Sequence, residues 1–306
     1  MPNPMCSICG SYETQLFHKR ESYTYLRCAD CRVVFLSPVP TTKQIASLYD
    51  THYEFIVDKT AQTRFKNQSA QIFETIKHMS PDARTLLDIG AGYGTFVKLA
   101  KRHALDALGL EPAINLFKRA KASRAKILNT RFERYFSAYS SKQFDVISMI
   151  HVIEHLSDPE RSLRMIIKHV KENGILFIET PNADSHLLNV EGGDYTFLTP
   201  PEHVHLFSVQ SLETLVRNLG RDVQIKTTTY SYPEHFVGIV RRIKRGAIGK
   251  SLQQSSIDDI VMSANQRKKR KATPKPYLDV AVAPKLTPIL NIGNKGSILQ
   301  MYIRVK

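Results

Sequence analysis

The chain has 306 residues, 42% of them hydrophobic, and a formal net charge of +15 from 43 basic and 28 acidic side chains. This length allows one α/β domain with a small appendage, and the apolar content suffices for an ordinary core. No apolar run approaches the roughly 18 residues of a membrane span, and the short polar N-terminus is unlike a signal peptide, so we expect a cytoplasmic protein.

The first predicted element is a metal-binding module over residues 1–40. Its cysteines follow the pattern C-x2-C-x18-C-x2-C, with room for a hairpin between the pairs and Gly10 after the first pair. Four thiolates at this spacing can surround Zn²⁺ tetrahedrally, and a closed ligand set predicts a structural zinc in a small zinc ribbon. Two disulfides or free thiols are the alternatives, and a reducing cytosol disfavours disulfides. The predicted ligands are Cys6, Cys9, Cys28 and Cys31.

Two helices are predicted next, over residues 41–49 and about 60–79. Thr41 or Thr42 can cap the first helix. The second places Phe65, Ile72, Phe73 and Ile76 on one face. We expect residues 41–84 to form a helical bridge that covers a cofactor.

A glycine-rich turn follows a short apolar strand at residues 86–89. Gly90, Gly92 and Gly94 allow the backbone to press against a ligand, and the helix after them offers free N–H groups to it. A second strand, 106–110, ends in Glu111, which stands 21 residues after Gly90. A carboxylate at that place accepts hydrogen bonds from ribose hydroxyls, so the pattern predicts a nucleoside site.

The spacing distinguishes this turn from a dinucleotide site. Its pattern is G-x-G-x-G rather than G-x-G-x-x-G, with Thr95 at the third dinucleotide position. Asp88 would repel a pyrophosphate but suits a cationic ligand. An NAD-type site and a plain glycine turn are the alternatives. With its acid before G-x-G-x-G, the sequence resembles the class I S-adenosylmethionine-dependent methyltransferases. The resemblance implies that Asp88, Gly90, Gly92, Gly94, Glu111 and His151 bind S-adenosylmethionine.

Helical and strand patterns alternate along the rest of the chain. This alternation predicts an α/β fold with a doubly wound parallel sheet, and the resemblance implies seven strands in the Rossmann-like order. The last strand would pair antiparallel with strand 223–229. We therefore expect a core over 85–231 with 296–306, and a basic insertion over 232–295. The predicted strands are 85–89, 105–110, 126–129, 143–150, 174–179, 223–229 and 297–305, and the helices are 94–103, 112–123, 159–171 and 209–219.

Methyl transfer to a hydroxyl or an acidic carbon requires a base at the carboxyl edge of the sheet. The segment His151-Val-Ile-Glu-His155 follows strand 143–150 and is one candidate, with either imidazole facing the substrate. In the alternative interpretation, Glu154 and His155 bond locally and hold the loop.

The second candidate is the Glu202-His203 pair, in a loop before helix 209–219. The cysteine pairs and the pattern E-H-x-x-x-F-S resemble bacterial sugar methyltransferases, whose C-methylating members place this Glu-His pair at the substrate. The resemblance implies that Glu202 and His203 are catalytic, with Tyr195 a weaker candidate; the alternative for His203 is a packing role. His205 departs from the family pattern, and from the length of the chain we do not expect the extra C-terminal domain of those enzymes.

The predicted function is methyl transfer to a small hydroxylated acceptor, with a nucleotide-linked or polysaccharide sugar favoured. An RNA methyltransferase with a zinc module is the second interpretation, and an idle binding protein is the third. The motif N/D-P-P-Y of base amino-methylases is absent after strand 143–150.

The insertion concentrates the positive charge of the chain. Residues 241–275 hold eleven Lys or Arg and two Asp, which is +9 of the net +15. This segment can contact an anionic membrane or nucleic acid, so peripheral association with the inner membrane face is one expectation. Its apolar residues Phe236, Val237, Ile239, Val240 and Ile243 recur at helical spacing. The alternative is that this stripe caps the substrate pocket while the charges face water.

Overall fold

The computed structural model describes residues 4–20, 22–51, 59–244 and 283–306. Its strands are β1 Thr14–Arg20, β2 Tyr23–Cys28, β3 Val34–Ser37, β4 Thr85–Ile89, β5 Asp106–Leu110, β6 Ile127–Leu128, β7 Phe144–Ile150, β8 Val170–Pro181, β9 His205–Leu206, β10 Val223–Tyr230 and β11 Ile298–Val305. Its helices are α1 Thr42–Thr51, α2 Lys59–Met79, α3 Thr95–Arg102, α4 Ile114–Ala122, α5 Phe132–Ala138, α6 Pro159–Ile166, α7 His186–Glu191, α8 Val209–Arg217 and α9 Pro233–Lys244, with a further helical turn at Ala283–Leu286.

The main sheet has seven strands in the order β10-β11-β8-β7-β4-β5-β6. The pairs among β4 to β8 are parallel, whereas β11 is antiparallel to both β8 and β10. Leu86 and Leu87 in the central strand β4 are completely buried, which explains why it reads as an apolar run. The predicted doubly wound sheet and its antiparallel last strand are confirmed.

Helix α2 covers one face of this sheet. Ile72, Phe73 and Ile76 are buried as the sequence periodicity predicts, and the ring of Phe73 packs edge-on against Phe96 of α3. The capping prediction also holds, because the N–H of Gln44 donates to the hydroxyl of Thr41. This packing fixes the bridge helix beside the carboxyl edge of β4.

The boundary between α6 and β8 differs from the prediction. The helix expected over 159–171 ends at Ile166, a 3-10 turn follows, and β8 begins at Val170 instead of residue 174. Val170 pairs with Phe144, and a Cβ at Gly174 would lie 2.9 Å from the carbonyl oxygen of Asp145. Strand pairing therefore overrides the helical pattern. Helices α5 and α7 and strand β9 were not predicted.

The N-terminal module folds as a second sheet in the order β1-β2-β3-β9. Strands β1 and β2 form the expected hairpin between the cysteine pairs. The fourth strand, β9, comes from the loop before α8, far along the chain. Val34 pairs with Leu206 and Phe35 with His205, so a strand of the core completes the sheet of the module.

Helix α9 is the described start of the insertion. Val237 and Ile239 are buried, the guanidinium of Arg242 pairs with Asp194 at 2.8 Å, and Ile243 is exposed. The apolar side of α9 thus faces protein. Residues 245–282, with the basic run 267–271, lie outside the described residues. No helix in the described ranges is both long and apolar enough to cross a membrane.

Candidate active site

The glycine turn lies at the carboxyl end of β4, the edge at which parallel sheets bind their ligands. Gly90, Gly92 and Gly94 all have positive φ, at 71°, 50° and 69°. A Cβ at Gly90 would meet Val152 at 2.5 Å, and one at Gly94 would meet Ala125 at 2.5 Å. Gly92 has no described atom within 4 Å of that direction and faces open space. Gly92 is therefore the glycine over which a ligand can lie.

Two buried carboxylates flank this turn. The N–H groups of Gly92 and Ala113 donate to Glu111 at 2.7 and 2.8 Å, and the remaining lone pairs of the carboxylate can accept ribose hydroxyls. The hydroxyl of Ser148 donates to Asp88 at 2.7 Å. Burial raises the pKa of Glu111, and burial together with the charge of Glu111 raises the pKa of Asp88 to about 7. A cationic ligand would stabilise both charged forms.

His151 follows β7 directly and has the left-handed φ of 54°. Its Nδ1 lies 3.2 Å from Glu154 and its Nε2 lies 3.5 Å from Glu179, and both carboxylates are fully buried. Burial lowers the pKa of His151, but the two carboxylates outweigh it and raise the pKa above the ordinary value. The Glu154 carboxylate also accepts a bond from Thr180. Glu154 thus bonds to His151 within its own loop, as the alternative interpretation expects, and to Thr180 of β8 outside that loop.

The rings of His155 and His203 pack edge to face, with their centroids 4.7 Å apart. The Nδ1 of His155 donates to the carbonyl of Glu202 at 2.9 Å, and the Nδ1 of His203 donates to the carbonyl of Phe197 at 2.6 Å. A carbonyl only accepts, so Nδ1 carries the proton in both rings and Nε2 is the basic nitrogen. Burial and the neighbouring His155 lower the pKa of His203 to about 3, which keeps its imidazole neutral.

The carboxylate partner of His203 differs from the expected one. Nitrogen atoms of His155 and His203 and an oxygen of Glu154 all lie within 4.8 Å of one another. The neighbouring carboxylate is therefore that of Glu154. Burial raises the pKa of Glu202, and the charge of His155 offsets only part of that rise. Tyr195 is completely buried in an apolar cluster, with its hydroxyl 3.4 Å from the carbonyl of Asn182.

One cavity of about 1380 Å³ joins the glycine turn to the histidine cluster. Helices α1 and α2 contribute Ile45 and Phe65 to its wall, and the first part of the insertion contributes Tyr232 and His235. Tyr232 and His235 are not among the predicted site residues, although the aromatic content of the stretch after β10 was an available signal. The predicted site residues that line the cavity are Asp88, Gly90, Gly92, Glu111, His151, His155, Glu202 and His203.

The four cysteines form a compact cluster outside this cavity. The sulfurs of Cys6 and Cys31 are 3.6 Å apart, as are those of Cys9 and Cys28, and all four lie within 4.8 Å of one another without a disulfide. Zinc–thiolate bonds of about 2.3 Å place tetrahedral sulfurs roughly 3.8 Å apart. Gly10 at φ 77° allows the tight turn after the first pair. The donor set fits a structural zinc ion.

Comparison with known proteins places the chain in a family. A family model described as "Methyltransferase domain" matches residues 61–224. The ubiquinone biosynthesis O-methyltransferase of Dictyostelium discoideum is 23% identical over 186 residues, which are 55% of this chain and 56% of that protein. The enzyme of the same name from Coxiella burnetii is 25% identical over 126 residues, covering 39% of this chain and 54% of its own. The chain thus spans about half the length of these relatives.

Two solved structures share the fold. A SAM-dependent methyltransferase from Archaeoglobus fulgidus aligns with a TM-score of 0.50 and 20% identity, covering 80% of this chain and 94% of its own. The plantazolicin methyltransferase BpumL in complex with SAH aligns with a TM-score of 0.50 and 15% identity, covering 87% and 91%. At these identities the likeness concerns the methyltransferase Rossmann-like fold alone.

Proposed function

The chain belongs to the methyltransferase-domain family, and from that premise we propose that it transfers a methyl group from S-adenosylmethionine to a small hydroxylated acceptor. One observation carries the proposal: a single cavity holds both the Gly92–Glu111 end and the His155–His203 cluster. The first end has the acceptors for a ribose and for a cationic group. The second has a neutral imidazole in a place that a substrate can reach.

The proposed chemistry is an in-line displacement. S-adenosylmethionine supplies a methyl group on a sulfonium, which is already a good leaving group. The acceptor hydroxyl oxygen forms the new bond to the methyl carbon as the carbon–sulfur bond breaks, and the electron pair stays on sulfur. His203 takes the hydroxyl proton at Nε2, and the buried Glu154 carboxylate stabilises the resulting imidazolium. His151, His155 and Glu202 line the same region and complete the proposed catalytic set.

The favoured acceptor is a nucleotide-linked or polysaccharide sugar, on the strength of the E-H-x-x-x-F-S pattern. A phenolic ring is the second candidate, because aromatic side chains line the cavity. The ring centroid of His235 lies 6.2 Å from that of Phe197 and 5.3 Å from that of Tyr232. The relatives named above carry the name of ubiquinone biosynthesis O-methyltransferases. A hydroxyl group on a ring is common to both candidates.

We further propose that the module over residues 1–40 is a zinc ribbon whose metal is structural. Support comes from the sulfur separations and from the four-cysteine donor set, which leaves no coordination position for substrate. The metal would hold the knuckles of the module together and take no part in methyl transfer.

For the insertion, we propose that α9 forms a wall of the acceptor pocket rather than a membrane anchor. The burial of Val237 and Ile239 and the Arg242–Asp194 pair support this assignment. Salt-sensitive sedimentation with anionic liposomes, lost when Arg241 and Lys244 become Gln, would contradict it and favour a peripheral membrane protein.

The decisive experiment is a transfer assay with methyl-labelled cofactor. Nucleotide sugars, lipid-linked sugars, phenols and RNA would be supplied in parallel, with Glu111→Ala protein as the matched control. Label in a sugar or a phenol that depends on Glu111 supports the proposal and selects the acceptor class. Label in RNA would favour the second interpretation. SAH binding without transfer to any of these would favour a binding protein without turnover.

A further inference from the structure

The loop that carries Glu202 and His203 is held between two parts of the molecule. On one side, the N–H of Leu36 in β3 donates to the carbonyl of Val204 at 2.9 Å, next to the β3–β9 pairing. On the other side, the N–H of Val204 donates to the carbonyl of Glu154 at 2.8 Å. The main chain beside His203 thus connects the four-cysteine module to the loop after β7.

His205, which departs from the family pattern, makes the same connection with its side chain. Its imidazole is completely buried. The Nδ1 donates to the carbonyl of Leu156 at 3.1 Å, and the Nε2 lies 3.2 Å from the hydroxyl of Ser7, which stands between the first two cysteines. A neutral imidazole with Nδ1 protonated accepts a hydrogen bond from the Ser7 hydroxyl at Nε2. A smaller side chain could not span these two groups.

Tyr25 of the module binds His203 itself. The Tyr25 side chain is completely buried, and its hydroxyl donates to the backbone carbonyl of His203 at 2.8 Å. Beyond β9, the hydroxyl of Ser208 donates to the carbonyl of Cys31 at 3.0 Å. Buried hydrogen bonds of this kind are costly to leave unmade. The contacts run along the loop from His203 to Ser208.

We propose that Tyr25 and His205 are positioning residues for the acceptor side of the cavity, so that the four-cysteine module supports the acceptor site from outside the cavity. The inference rests on the proposed role of His203. The Gly92–Glu111 contact lies within the core, at the other end of the cavity. Loss of the module contacts should therefore misplace the base and leave cofactor binding intact.

The test compares Tyr25→Phe with Tyr23→Phe in the 306-residue chain purified with zinc. Tyr23 is a matched control, because it lies on the same strand and packs at the edge of the same apolar cluster. Hydrogen–deuterium exchange of the 203–208 peptide should be about fivefold faster in Tyr25→Phe, as expected for one lost buried hydrogen bond. With an acceptor from the transfer assay, kcat should fall by up to about 10²-fold. The Kd for SAH should not change.

A second experiment changes only the zinc content of the wild-type protein. Removing zinc with a chelator should speed exchange in the same 203–208 peptide, and adding zinc back should restore it, again with SAH affinity unchanged. Exchange and kcat equal to those of Tyr23→Phe would overturn the inference. A fall in SAH affinity would also overturn it, because the module would then support the whole core. A wild-type rate in His203→Ala would contradict the proposed base, whereas the exchange measurement would still report on the loop.

Discussion

The backbone N–H of Gly92 donates to the carboxylate of Glu111 at 2.7 Å, so the glycine turn and the proposed ribose acceptor are joined before any ligand binds. The same carboxylate also accepts the N–H of Ala113 at the start of α4. Two segments that meet the ligand from different strands are thereby fixed relative to each other, which lowers the ordering cost of binding.

Replacing Glu111 should weaken cofactor binding. We expect Glu111→Ala to reduce the affinity for S-adenosylmethionine by roughly 1–3 kcal/mol, because the ribose loses a charged acceptor and Gly92 loses its partner. Glu111→Gln keeps one carbonyl acceptor and should lose less. Isothermal titration calorimetry on both variants measures the difference. Wild-type affinity in Glu111→Ala would rule out the assigned cofactor site.

Substitutions at Gly90 and Gly92 should have different effects on thermal stability and on cofactor affinity. Gly90→Ala should lower the thermal midpoint, because its Cβ would meet Val152 at 2.5 Å. Gly92→Ala meets no described atom within 4 Å and carries only the cost of its positive φ, about 1 kcal/mol. It should instead reduce cofactor affinity, and Gly92→Val should reduce it further. Thermal denaturation and calorimetry on the same samples test this. Equal affinities in Gly92→Val and wild type would contradict it.

Cofactor affinity should depend on pH through Asp88. Burial and the charge of Glu111 raise its pKa to about 7, from 3.8 in a model compound. The cation prefers the charged carboxylate, so affinity for S-adenosylmethionine should rise with pH and level off above about 7, approaching ~tenfold per unit well below it. Asp88→Asn should flatten this profile.

The same shift has a consequence for the ligand-free protein. Between about pH 4 and 7 the folded state holds a proton on Asp88 that the unfolded state has lost. The contribution of Asp88 to the free energy of unfolding therefore decreases as pH rises through this window.

Calorimetry from about pH 5.5 to 8.5 checks the predicted pH dependence of cofactor binding. A flat wild-type profile would show that Asp88 does not meet the cationic group.

The purified protein should contain one zinc ion per chain, measurable by atomic emission. Cys6→Ser or Cys28→Ser should lower the zinc content and destabilise the module, while SAH affinity stays near the wild-type value. Ser11→Ala, close to the knuckle but not a predicted ligand, is a suitable control. Loss of SAH binding in proportion to zinc would mean that the cofactor site depends on the module.

The proposed base should be essential for turnover. His203→Ala should reduce kcat by about 10²–10⁴-fold, the usual contribution of general-base catalysis, with cofactor affinity little changed. Because the pKa of His203 is lowered to about 3, its neutral form persists through the physiological range, and its basicity in the ligand-free protein is weak. His186→Ala, at an exposed position, controls for loss of a histidine. Unchanged turnover in His203→Ala would transfer the role to His151 or His155.

Prediction from sequence worked best where one strand–turn–helix unit contains all the information. The run from Leu86 to Gly94 contains a strand, the turn with positive φ and the residue before the next helix. Glu111 follows the next strand directly. The strand alternation likewise predicted the sheet. The predicted helix end at residue 171 was wrong: α6 ends at Ile166, because pairing of Val170 with Phe144 decides where β8 begins.

The sequence by itself determined the doubly wound core, the cysteine spacing and the candidate residues at the carboxyl edge, because each depends on neighbours within a few positions of the chain. Only the tertiary structure decided which of these residues meet. It paired His151 with Glu154 and Glu179, placed Glu154 rather than Glu202 beside His203, and attached β9 to the sheet of the module. Such contacts depend on how helices, strands and loops that are distant in the sequence pack together. A local pattern of apolar and polar residues does not specify which side chains meet at the ends of those elements.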